Sequence, residues 1–348
     1  MFENWSIFQL LAAFALAAAV VLLSGVRLTG LADRLADRVG IGEAIAGAVL
    51  LGAATSLSGT IVSITAALDG FASLAYSNSI GGIAAQTAFL AVADLIHRKA
   101  NLEHAAADLG NVFQAVVLLV LLTLPLLATN LPEFTVLAVH PVSLVIPVVY
   151  VGALATTRAL RETPMWIPVT TGDTRKDTPE HEDAQASRKS TARLFLSFFL
   201  LMVVMGVAGW AIAKTAGAIT LRMALSESLV GALATAVATS LPELVTTIAA
   251  VRRGALQLAV GGIIGGNTFD TLFLTAADVS YREGSLYHAA GAADQFWNLT
   301  AILMTGILLA GLIVRQRQGP GRIGAESVAL IAVYAGAITL QLMHGAGQ

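Results

Sequence analysis

ATSLSGTIVSITAALDGFASLAYSNSIGGIAAQTAFLAVAD runs from Ala54 to Asp94, and ATSLPELVTTIAAVRRGALQLAVGGIIGGNTFDTLFLTAAD runs from Ala238 to Asp278. The second segment lies over the first without a gap, 184 residues on. The register reaches back to Glu43 and Glu227, so the copies span about 43–94 and 227–278. Identical pairs include Gly47/Gly231, Thr55/Thr239, Ser56/Ser240, Leu57/Leu241, Gly70/Gly254, Gly81/Gly265, Gly82/Gly266, Phe89/Phe273 and Asp94/Asp278. Two unrelated apolar helices would coincide in Leu, Ala and Val. Thr-Ser-Leu, Gly-Gly and a closing Asp in one register mark a duplicated helix pair that turns at Gly70 and Gly254.

The chain around these copies reads as membrane protein. Of 348 residues, 56% are apolar and only 12% charged, with a mean hydropathy of +0.78; a soluble domain carries about a quarter charged residues. Phe8 to Leu23, Val112 to Leu127 and Leu194 to Ala213 each approach the roughly 20 residues that cross a bilayer. Ten spans are predicted, at 7–25, 41–68, 71–96, 110–129, 134–155, 194–213, 225–251, 255–279, 295–314 and 323–343. The first has no basic segment before it and is therefore not read as a cleaved signal peptide. The charged, Pro-containing stretch 158–193 reads as a linker between a first half, 1–157, and a second, 194–348. Placing that linker in the cytoplasm puts only Lys214, Arg222 and Arg282 of the 20 Lys and Arg on the opposite side. The positive-inside rule thus sets both termini outside the inner membrane.

Five spans separate equivalent helices, so the copies cross the membrane in opposite senses. The expected fold is all-α and polytopic, with ten transmembrane helices in two inverted five-helix repeats, the plan of secondary transporters. The chain has no cysteine, which removes disulfides, thiolate metal sites and thiol redox chemistry. It shows neither a phosphate-binding glycine loop nor a protease-type histidine–carboxylate cluster in its spans. An enzyme is not expected, and neither a cofactor nor a nucleic-acid partner is called for; the expected partners are inorganic cations and lipid.

Candidate ligands follow from what lies mid-membrane. Pro242 lacks an amide and clashes with the carbonyl four residues back, so the seventh span is expected to loosen and free carbonyls near Ala238 and Thr239. Glu243 stands beside it, where a charge costs at least about 2.5–3.5 kcal/mol. Asp270 lies three residues after Asn267 and shares its helical face. Two carboxylates with the hydroxyls of Thr239 and Ser240 suit a hard cation such as Ca²⁺ or Na⁺. Asp94, Asp278 and Asp294 are read as interfacial, Glu43 and Glu227 as helix-start residues favoured by the dipole, and His140 as a satisfied core histidine.

With these residues in view, the chain resembles the cation/calcium exchanger superfamily, in particular the sodium/calcium exchanger membrane domain. The resemblance rests on ten spans, a cytoplasmic linker after the fifth, two alpha repeats, and the second-repeat run ATSLPEL followed by GGIIGGNTFD. It implies Ca²⁺ transport against Na⁺ or H⁺ by alternating access. It further implies Glu243 as the central ligand, Asp270 as the acid across from it, and oxygens from Thr239 and Ser240. The first repeat departs from the family pattern: Ser58 replaces its Pro, Gly59 its second Glu, and Gln86 faces Asp270 in register. Thr55, Ser56, Gln86 and Gly59 would therefore form a neutral half of the site. Two other readings stay open, a sodium/proton or other monovalent-cation exchanger and a non-transporting binding protein that retains the fold.

Overall fold

The computed structural model describes residues 5–39, 52–97, 99–174, 191–319 and 323–345. The expected helix start at Glu43, the Gly47 pair member and the linker segment 175–190 lie outside these residues. The first half contains α1 (Ile7–Val39), α2 (Gly52–Thr55), α3 (Leu57–Leu68), α4 (Ala72–Ile96), α5 (Leu102–Ala105), α6 (Leu109–Asn130) and α7 (Val142–Glu162). The second contains α8 (Thr191–Met223), α9 (Glu227–Leu229), a π-helical turn at Val230–Thr235, α10 (Ala236–Arg253), α11 (Leu256–Asp270), α12 (Leu272–Ser280), α13 (Leu286–Ala289), α14 (Ala292–Val314) and α15 (Ala325–Gly345).

Helix boundaries repeat at the offset found in the sequence. α1 maps onto α8 end for end, α4 onto α11 and α12 together, and α5 onto α13. The duplication therefore covers the whole described chain and extends beyond 43–94. Its outer parts escape residue matching because lipid accepts any apolar side chain. Eight helical stretches among the described residues are long and apolar enough to cross a membrane. The other two spans are interrupted helices, broken at Ser56 between α2 and α3 and at Thr271 between α11 and α12.

Three expectations on helix limits need correction. The fifth span starts at Val142 and not at 134, because Leu137 and Ala138 take positive φ in a tight turn that pairs Val136 with Val139. α1 and α8 run past 25 and 213, so Arg27, Arg34, Lys214 and Arg222 lie on helices. α10 continues through Pro242 without a break, and the irregular backbone lies one turn earlier, in the π-helical segment. Pro242 still leaves its turn one hydrogen bond short. Its ring packs on α1, where a Cβ at Gly25 would fall 2.5 Å from Pro242 Cγ.

At the centre, α4 packs against α10 and α11, and α3 against α12; α1 and α8 lie together outside, on α10 and α3. Nearly all of α4 is buried in protein, whereas little more than a quarter of α1 or α8 is. Phe8, Leu16, Val148, Phe199 and Val207 point outward, as lipid contact requires. The tightest crossing sets Gly81 of α4 on the π-helical turn, where a Cβ would meet the Ala232 carbonyl oxygen at 2.7 Å. Gly81→Val should therefore destabilise the protein by about 1–3 kcal/mol, the usual cost of overpacking. Thermal unfolding in micelles should show it, with Gly206→Val, which meets nothing within 4 Å, as the neutral control.

Candidate cation site

The duplication axis passes between Gln86 and Asp270, which are equivalent positions in direct contact: Gln86 Nε2 donates to Asp270 Oδ2 at 2.7 Å. Around that pair the contacts come in mirrored couples. Ser56 Oγ donates to Asp270 Oδ1 at 2.6 Å, and the equivalent pair joins Gln86 Nε2 to Ser240 Oγ at 3.1 Å. Ser79 Oγ donates to the Asp270 carbonyl at 2.8 Å, at the end of α11 where the helix breaks and that acceptor is released.

These groups line one polar cavity with Gly59, Asn78, Gly82, Thr239, Glu243 and Phe273. Its volume, counted as space open to the centre of a water, is about 10 Å³, roughly enough for one water or one bare cation. Glu243 and Asp270 are both buried. Among the described residues no three His, Asp or Glu side chains gather as a metal cluster; two acids and neutral oxygens make the site.

The polarity of the lining is one-sided. Glu243 Oε2, Gln86 Oε1 and Asn78 Oδ1 are buried without a hydrogen-bond partner, and all three are acceptors. Most of the available donors are spent: Gln86 on Asp270 and Ser240, Asn78 on Gly59 and Ser63, Thr239 on the Thr235 and Ala236 carbonyls, Ser56 on Asp270. A buried cavity in which unpaired acceptors outnumber donors attracts a cation, since each unpaired oxygen otherwise loses its solvation.

Seven expected site residues meet here: Glu243, Asp270, Thr239, Ser240, Ser56, Gln86 and Gly59. Thr55 stands behind them, hydrogen-bonded to the Glu243 carboxyl. Asn267 does not join the lining; its Nδ2 donates to Thr87 Oγ1 at 2.9 Å, one turn away from the cavity. Asn78, Gly82 and Phe273 were missed. Ser77-Asn78-Ser79, a polar run inside an otherwise apolar helix, is the signal that could have found the first. At Gly59, an added Cβ would lie 2.6 Å from Phe273 Cε2, so an aromatic ring from the other repeat occupies the place of the absent acid.

Asp94 and Asp278 do not project from the protein surface at their helix ends. Both are buried, and each ties the end of its repeat to two backbone amides in the same pattern. Asp94 accepts from Leu102 and Gly324 at 2.8 and 3.0 Å; Asp278 accepts from Leu286 and His140 at 2.9 and 2.8 Å. The histidines that follow mirror one another too, His104 on the Arg315 carbonyl and His288 on that of Leu131. Asp278→Asn should cost about 1.5–3 kcal/mol, the loss of a charge-assisted bond, read as a lower melting temperature. Asp294 is also buried and does not project: it accepts from the Ser73 and Ser77 hydroxyls and from the Gly291 amide. Glu227 begins its helix as expected and accepts from the Leu74 amide at the start of α4.

Comparison with known proteins gives a consistent picture. Residues 9–157 and 193–343 match the family described as sodium/calcium exchanger protein. The inner membrane protein YrbG of Escherichia coli (strain K12) is 34% identical over 128 residues, which span 37% of this chain and 38% of that protein. A sodium-calcium exchanger structure, NCX_Mj, superposes with a TM-score of 0.62 at 17% identity, covering 96% of this chain and 99% of that one. The H⁺/Ca²⁺ exchanger CAX superposes at 0.67 and 14% identity, covering 97% and 87%.

Proposed function

The chain belongs to the sodium/calcium exchanger protein family, and from that premise we propose that it is a secondary active cation antiporter. It exchanges Ca²⁺ or a related cation against Na⁺ or H⁺ by alternating access. The observation that carries this reading is the acceptor-rich cavity between the repeats, with Glu243 and Asp270 as its two charges. One divalent ion balances those carboxylates, and the cavity has room for one. Glu243 and Asp270 are the principal ligands; Ser240, Ser56, Gln86 and Thr239 shape the cage, and Gly59 leaves the space that Phe273 takes.

Inverted symmetry supports the alternating step, because an outward-open arrangement of one half resembles an inward-open arrangement of the other. The distribution of Lys and Arg supports termini outside and the 158–193 linker in the cytoplasm, with the halves at 1–157 and 194–348. The protein reconstituted into liposomes tests the proposal with a panel of Ca²⁺, Sr²⁺, Mn²⁺ and Na⁺ under imposed Na⁺ or H⁺ gradients. Divalent uptake driven by one of those gradients is expected. Uptake that follows neither gradient overturns antiport, and Na⁺/H⁺ exchange with no divalent flux would install the monovalent reading in its place.

A further inference from the structure

The mirrored ties at the two membrane faces hold different side chains. At Asp278 the short helix α13 presents Tyr287, whose hydroxyl meets Ser143 Oγ at 2.8 Å, and that serine donates to Asp278 at 2.7 Å. The carboxylate beside that tie, Glu133, accepts from the Ser285 amide. At the equivalent place, α5 presents Glu103, and the start of α15 presents Glu326 one residue before Ser327, the counterpart of Ser143. Glu103 is fully buried within an apolar cluster that includes Leu102, Ala105, Leu256, Ala259 and Leu312.

Neither oxygen of Glu103 receives a well-aligned hydrogen bond, and Glu326 Oε1 has none either. What stands within hydrogen-bonding range of the Glu103 carboxyl is the Glu326 carboxyl. The neighbours do not supply a counter-charge. Asp94, from α4, has both oxygens on backbone amides. Arg315, after α14, gives its Nη1 and Nη2 to the Val169 and His104 carbonyls and Thr174, its Nε stays unpaired and it is not among the charges that act on Glu103; His104, on α5 itself, binds the Arg315 carbonyl and Thr171. Where α11 packs on α5 it brings the apolar Leu256, Ala259 and Val260. Two carboxyls this close and this buried, with Asp94 adding to the field, cannot both be ionised without a cation.

We propose that Glu103 and Glu326 form a second proton-binding site, remote from the transport cavity, in which one shared proton fastens α5 to the start of α15. Burial first, then the charges of Asp94 and Glu326, push the Glu103 carboxyl well above the usual carboxylate range. A group raised in the folded state stabilises it fully below its unfolded value and loses that contribution as pH rises through the folded value. The fastening is therefore complete at low pH, weakens as pH rises toward the raised value of Glu103 and is lost above it, at this face alone.

Hydrogen–deuterium exchange on the full chain in nanodiscs, corrected for intrinsic rates from pH 6 to 10, tests it. In the wild type the local opening of 99–108 and 323–330 should rise by up to tenfold per pH unit below the midpoint and level off above it, one proton's linkage, while 284–290 lacks this rise. Glu103→Gln should remove the rise from the first two segments as well. Glu326→Gln, which removes one like charge, should move the midpoint to lower pH and keeps the question answerable if Glu103→Gln does not fold. The proposal is overturned if Glu103→Gln keeps the wild-type profile, if Glu326→Gln leaves the midpoint in place, or if all segments follow one curve. It is also overturned if Ca²⁺ or Mg²⁺ restores protection at high pH in the wild type and not in Glu103→Gln, since the pair would then hold a metal.

Discussion

Glu243→Gln should abolish divalent flux in liposomes and weaken divalent binding by roughly a hundredfold or more, without lowering the melting temperature of the ion-free protein. The size follows from charge. With Glu243 neutral, Asp270 remains the one carboxylate in the cavity, and it is already engaged by Ser56 and Gln86. Disturbing only the outer partners of a metal ligand typically costs ten- to a hundredfold, so losing a ligand and half the site's charge costs at least the upper end of that range. Stability should be spared because Glu243 Oε2 has no protein partner to lose, and an amide is cheaper to bury than a carboxylate. The measurements are ⁴⁵Ca²⁺ uptake and ion-dependent thermal shift. A variant that keeps wild-type ion protection would remove Glu243 from the site; a wild type with no ion protection at all would favour a protein that has kept the exchanger fold without transport.

The second large effect concerns the ring opposite. Gly59→Glu should be strongly destabilising on its own, because the new side chain starts 2.6 Å from Phe273 Cε2 and adds a third carboxylate to a cavity holding two. Overpacking costs about 1–3 kcal/mol, before any charge repulsion. Phe273→Ala should cost about 3–5 kcal/mol, as for other buried aromatic truncations, since its ring also packs edge-on to Phe269. The double variant should be less damaged than the sum of the two, with a coupling of about 0.5–3 kcal/mol, and should bind more positive charge per transport cycle. A full double-mutant cycle of melting temperatures, with ion stoichiometry by calorimetry, reads both. Strict additivity would mean that the ring and the missing acid do not share one space.

How much of this was legible depends on what the residues have to do. The fold could be read because Thr-Ser-Leu, Gly-Gly and Asp in one register are improbable by chance, and because lipid demands long apolar runs. Glu243, Asp270, Thr239 and Ser240 could be read because they are polar where polarity is expensive, and Ser56, Gln86 and Gly59 because the repeat register and the family pattern point to them. Asn267 misled because a shared helical face with Asp270 is a statement about one helix; the partner across the interface, Thr87, is not visible in it. Pro242 misled because a proline removes a bond without having to break the helix when neighbouring packing, here Gly25, holds the turn. Asp94, Asp278 and Asp294 looked interfacial because helix ends usually are. Their burial depends on loops that fold back over them, α5 and α13 among them, which no periodicity announces. Glu103 was visible only as an acid opposite Tyr287 at the repeat offset, a comparison that identical residues alone do not prompt.

The donors that hold Asp270 and Ser240 all come from the first copy, and the acceptors all from the second. Two once interchangeable halves have thereby taken different parts, one giving hydrogen bonds at the axis and the other receiving them. Such a division of labour runs one way, because a gene reduced again to a single copy would pair Gln with Gln or Asp with Asp across the axis and recover neither arrangement.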